Sequence, residues 1–88
     1  MLVSETYSTV MWGNASNAAI PVPRSVVEAL GGGGRARVHV TVNGFEFTSI
    51  LASNLGEPAI GFSQVRRRES GIEPGDAIEV TLTLAARG

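Results

Sequence analysis

The stretch from Arg35 to Leu51 constrains this chain more than any other. Ala36, Val38, Val40 and Val42 alternate with Arg37, His39 and Thr41, the two-residue period of a strand with one buried face. Asn43-Gly44 follows, a dipeptide that accepts positive φ at both central positions of a type I′ turn, so the loop is two residues long. That turn puts Val42 opposite Phe45 and Val40 opposite Phe47 on one face, and Thr41 beside Glu46 and His39 beside Thr48 on the other. Apolar pattern and turn chemistry therefore specify the same hairpin and the same register.

The C-terminal region repeats this grammar. Ile78, Val80, Leu82 and Leu84 alternate with Glu79, Thr81 and Thr83 after a Glu73-Pro74-Gly75-Asp76 turn. Met1 to Trp12 reads as an extended edge strand rich in Thr, Ser, Val and Tyr. Two short helices are expected. Pro23 fits a first helical turn, Val26, Val27 and Leu30 share a side, and Gly31 to Gly34 end the helix. Ser63 is an N-cap for a second helix through Gln64 to Glu69, which Gly71 ends in a left-handed conformation and whose apolar stripe is thin.

With 88 residues and no cysteine, the chain holds one domain, residues 1–88, stabilised by apolar packing or by a partner subunit rather than by disulfides. Placing residues 19–42 against 59–82 at an offset of 40 aligns Ala19 with Ala59, Ile20 with Ile60, Gly31 with Gly71, Val40 with Val80 and Thr41 with Thr81, although the helices themselves do not align. Both halves read strand, helix, strand. The fold class this implies is mainly β, a small closed six-stranded pseudo-twofold barrel with two capping helices, in which each half pairs the other's open edges.

The segments IPVPRSVVEALG, VHVTVNG with FEFTS, and QVRRRESGIEPGDAIEVTLTL resemble the bacterial family called domain of unknown function 1905, over residues 18 to 84. The most specific pieces are Pro23 with Val26, Val27 and Leu30, the Asn43-Gly44 turn, Val65 with Arg66, and Gly71 followed by Gly75-Asp76. The resemblance implies a double-split β-barrel, the architecture class of AbrB-like and MazE-like proteins. Ser53 to Pro58 is short for the family, and Ala85 stands where members often carry an acidic residue. No established activity comes with the family. Some relatives are fused to a bacteriocin-protection domain, which implies a setting of stress or antimicrobial resistance.

Enzymatic chemistry has few residues to work with. His39 is the single histidine and sits on a strand's polar face, where a solvated partner of Thr48 is the simpler reading than a catalytic base. No catalytic residue, metal site or cofactor is expected, since one histidine and scattered carboxylates do not make a ligand set. Gly31 to Gly34 follow a helix instead of opening one and lack the Lys-Ser/Thr sequel of a phosphate loop, so they read as a connector.

Seven basic residues against eight acidic ones give a net charge of −1, which offers no general attraction to nucleic acid or anionic lipid. Arg66, Arg67 and Arg68 are the one dense basic patch. At ~100° per helical residue they cannot all face one partner, and one of them is expected to pair with an acid such as Asp76 or Glu69. Trp12 either plugs the core or floors a ligand site at the barrel rim, the plug being the simpler reading. Phe45 and Phe47 belong to the core.

The expected function is a non-enzymatic module that binds a small molecule or peptide near Trp12, Arg24 and Arg66. The alternative is an AbrB-like DNA-binding regulator, against which the net charge weighs. A monomer or homodimer fits either reading. Met1 to Val10 alternates apolar with polar residues instead of running apolar, and no apolar stretch approaches the ~18 residues of a membrane span. A soluble, unprocessed cytoplasmic protein is therefore expected.

Overall fold

The computed structural model describes residues 4–13, 17–31, 36–54 and 56–84. The central hairpin, β4 (Arg37–Val42) and β5 (Phe45–Ile50), forms in the expected register, with Val42 opposite Phe45, Val40 opposite Phe47, Thr41 opposite Glu46 and His39 opposite Thr48. Asn43 and Gly44 take positive φ, 48° and 88°. Asn43 does more than turn the chain. Its Oδ1 accepts from the Glu79 N–H at 2.9 Å and its Nδ2 donates to the Ala77 carbonyl at 3.4 Å, so the side chain prolongs the ladder between β4 and β8 (Ala77–Leu84) beyond its last pair, Val42 with Val80.

β1 (Ser4–Val10) lies along the other side of β8, completing a four-stranded sheet in the order β1-β8-β4-β5. A second sheet is ordered β2-β3-β7-β6, from β2 (Trp12–Gly13), β3 (Ala18–Pro21), β6 (Ala52–Asn54) and β7 (Glu57–Gly61). Val38, Val40, Val42, Val80 and Leu82 from the first sheet and Ile20 and Ile60 from the second are fully buried in one shared core.

This arrangement corrects the expected closed six-stranded barrel. The strands form two open four-stranded sheets, because the extended segments that run through Met11 and Leu51 each change partner part-way. β1 gives way to β2 at Met11, whose N–H donates to the Asp76 carbonyl and whose own carbonyl accepts from the Gly75 N–H. β5 gives way to β6 at Leu51, whose N–H donates to the Ala36 carbonyl. Met11 and Leu51 are each 1% exposed, so both corners are anchored in the core. A closed barrel needs one stagger carried around every strand, whereas β2 and β6, two and three residues long, carry only the second sheet's pairing.

The internal repeat is present and reaches further than the sequence shows. Ile20 lies directly opposite Ile60 and Thr41 directly opposite Thr81, so each faces its own counterpart and one approximate twofold axis passes between both pairs. Tyr7 opposite Val80 mirrors Phe47 opposite Val40, which brings β1 and β5 into the repeat, and the corners Met11 and Leu51 are again 40 residues apart.

The helices α1 (Arg24–Leu30) and α2 (Gln64–Ser70) are equivalent too. Each ends in a left-handed glycine, Gly31 at φ 78° and Gly71 at φ 77°, whose N–H caps the Val27 and Arg67 carbonyls respectively. Ser63 caps α2 as expected, its Oγ accepting from the Arg66 N–H, while Pro23 stands at the N-cap of α1 rather than inside its first turn. Gly32 to Gly34 lie outside the described residues, as does Ala85.

The helices diverge in how they pack. α1 buries Val26 and Leu30; α2 buries none of its residues. At the counterpart of Val26 stands Arg66, whose guanidinium lies over the Phe47 ring, 4.3 Å from its centroid. Phe47 also packs with Phe45 and Phe62 at centroid distances of 5.9 and 5.8 Å, so α2 is held by an arginine and an aromatic cluster where α1 uses aliphatic contacts.

Candidate binding site

The second sheet turns Ile20 and Ile60 inward, so Ala19, Pro21, Ala59 and Gly61 point to its other face, where Gly61 is exposed and Ala19 and Ala59 are only 7% and 6% exposed. Register aligns these residues in two rows, Trp12 with Ala19 and Gly61, and Ala52 with Ala59 and Pro21. Small residues in the middle and a large one at one edge leave a depression of about 290 Å³, lined by Trp12, Ala52, Ala59 and Gly61 and by the Asn17-Ala18-Ala19 stretch. Among the described residues none that lines it is charged.

Trp12 does not plug the core. It is 42% exposed, on the opposite face of the chain from buried Met11. Gly13 fixes its place, because at φ 141° a Cβ there would lie 2.1 Å from the Asn17 carbonyl oxygen, so only glycine allows β2 and β3 to approach this closely. Val10 and Ile50, counterparts at the two corners, are also exposed, at 52% and 47%.

The other two residues expected beside Trp12 lie elsewhere. Arg24, at the start of α1, donates through Nη2 to the Gly56 carbonyl at 3.0 Å and stands 3.6 Å from Glu57, tying α1 to the turn before β7. Arg66 covers Phe47. Neither lines the depression. Of the arginine run, Arg67 is the one that pairs with an acid, through Nε and Nη2 to Glu73 Oε1 at 3.2 and 2.6 Å. The acid is Glu73, where Asp76 or Glu69 was expected; Asp76 instead accepts from the Glu73 N–H at 2.9 Å and closes the turn before β8.

His39 and Glu46 are in contact on the outer face of the first sheet, His39 Nε2 lying 3.0 Å from Glu46 Oε1. Among the described residues no three His, Asp or Glu side chains converge as metal ligands would. Tyr7 had no sequence signal. Its hydroxyl donates to the Pro21 carbonyl at 2.7 Å between the two sheets, and burial pushes its pKa far above the usual tyrosine value.

A family described as Domain of unknown function (DUF1905) matches residues 8–82, from within β1 to within β8. The chain belongs to the DUF1905 family. No curated protein matches it. The DUF1905 match takes in both corners, both helices and every residue around the depression. Among the described residues no helix is long and apolar enough to cross a membrane.

Proposed function

We propose that this chain is a non-catalytic binding module of the cytoplasm whose site is the outer face of the second sheet, where a small molecule or an exposed peptide side chain rests against Trp12. The observation that carries this reading is a partly exposed indole beside a floor of alanine and glycine. A large aromatic surface left in water at the edge of a concave floor of small residues has apolar area still to bury, and a ligand can bury it. Among the described residues around the depression no nucleophile is paired with a base, which supports a binding role.

The DNA-binding reading depends on presenting Arg66 to Arg68 to phosphates. Arg66 lies over Phe47 and Arg67 is paired with Glu73, which favours the binding-module reading. A role in stress or antimicrobial resistance rests on domain fusions among relatives, so antibiotics belong among the compounds tried. Thermal unfolding with a metabolite and antibiotic panel tests the proposal, because a ligand selective for the native state raises the melting temperature. A saturable rise that Trp12→Leu abolishes supports it; no rise with any compound at saturating concentration overturns it.

A further inference from the structure

The floor of the depression obeys the approximate twofold axis and its walls do not. Ala19 and Ala59 are counterparts and lie symmetrically about the Ile20–Ile60 pair. Trp12 and Ala52 are counterparts as well, each immediately following a buried corner residue, Met11 or Leu51. One side of the floor therefore carries an indole and the other only a methyl group.

We infer that the site takes a neutral, planar aromatic ring, which fills the space that a second tryptophan at position 52 would occupy and lies against Trp12. This rests on the binding reading above and adds the chemical class of the ligand. Three observations on the face itself select that class. None of the described residues that line the depression is charged, so a charged ligand would lose hydration without gaining a partner among them. Gly61 contributes no side chain and the flanking alanines only methyl groups, so a flat ring reaches the sheet surface where a branched aliphatic group would not. A volume of about 290 Å³ exceeds the roughly 150 Å³ apolar cavity that accepts benzene, leaving room for a fused bicyclic ring.

Trp12 is the sole tryptophan, so its fluorescence reports on this face alone. The test is a titration of the full chain with indazole (neutral, planar), cyclohexanol (neutral, not planar), benzoate and benzylamine (charged), each to about 5 mM, since a ring this small binds with Kd on the order of 1 mM. Saturable quenching by indazole at least about tenfold tighter than by the other three is expected.

Ala52→Phe and Gly61→Val fill the depression from its wall and its floor. A Cβ at Gly61 meets nothing within 4 Å, and both new residues favour strands, so both variants should fold. Each should weaken indazole binding at least about tenfold, read by calorimetry, whereas Ala52→Ser should bind within about twofold of wild type. Saturable binding of cyclohexanol, benzoate or benzylamine in preference to indazole overturns the ligand class while leaving the binding reading intact. Undiminished indazole binding by both filled variants overturns the site. No response of Trp12 to any of the four probes overturns the ligand class, and the metabolite and antibiotic panel then decides the binding reading separately. A dimer by light scattering whose Trp12 is shielded from acrylamide overturns both, since a second copy then covers this face.

Discussion

Replacing Asn43 separates the two tasks that the structure gives it. Its backbone sits at φ 48°, where an L-residue other than Asn or Asp is disfavoured by about 1–2 kcal/mol. Its side chain makes two bonds to β8, one of good length at 2.9 Å to Glu79 and one long at 3.4 Å to Ala77. Both bonds are solvent-exposed, so together they contribute about 1 kcal/mol, the lower end of the usual range.

Asn43→Gly keeps the turn conformation and loses the bonds, and should cost about 1.5–2 kcal/mol once glycine's added unfolded-state entropy is included. Asn43→Ala loses the bonds and adds the left-handed penalty, for a total of about 2–3 kcal/mol. Asn43→Asp keeps an acceptor for Glu79 and should fall closest to wild type. Urea unfolding followed by circular dichroism gives the three values, and an unchanged m confirms that only stability moved. In a domain of this size each kcal/mol lowers the melting temperature by about 4–8 °C, so the Gly and Ala variants are readily distinguished. Equal destabilisation by Gly and Ala would refute the left-handed argument. A Gly variant as stable as wild type would refute the claim that the side chain extends the ladder.

Three other perturbations bear on the packing. Tyr7 is the one tyrosine, and the chain has neither cysteine nor lysine, so alkaline unfolding isolates its phenol. Its pKa is raised by burial in the fold, so the neutral form stabilises the native state fully below pH ~10; that contribution falls by about 1.4 kcal/mol per unit as pH rises beyond it, and Tyr7→Phe should remove the decline in denaturation curves taken across this range. Arg66→Val restores the residue type that α1 carries at Val26 and should alter stability by less than about 1 kcal/mol, the size of an exposed cation–π contact; a larger loss in chemical denaturation contradicts the assigned packing role. Gly13→Ala brings a Cβ against the Asn17 carbonyl and should cost more than about 2 kcal/mol and shift the Trp12 emission, whereas a neutral effect means that β2 and β3 are further apart than described.

Much of the fold was legible because two kinds of signal coincided in the same residues. Asn43-Gly44 fixed a register that the Val and Phe alternation supported independently, and Ile20 with Ile60 and Thr41 with Thr81 marked the repeat at the pairs nearest its axis. The corners at Met11 and Leu51 were not legible. Side-chain alternation runs through both of them without a slip, and only the partner strand changes, which a local period does not record. That is why two open sheets read as a closed barrel.

The helices escaped the repeat for a similar reason. Val26 and Arg66 occupy equivalent positions in the two halves by different physics, one as a buried aliphatic side chain and the other as a cation on an aromatic face. Trp12 was recognised as a candidate while its surroundings were not, because Ala19, Ala52, Ala59 and Gly61 carry no local sign of lying on one outer face. Arg24 and Arg66 drew attention by charge, and contacts distant in sequence, with Gly56, Glu57 and Phe47, gave them other roles.

Acrylamide quenching of Trp12 in the ligand-free chain, measured at a concentration where light scattering reports a monomer, most directly checks that this indole lies on the outer face of the second sheet. A solvent-shifted emission that acrylamide readily quenches is the predicted result. A blue-shifted emission that resists acrylamide would place the ring inside the core and contradict the site.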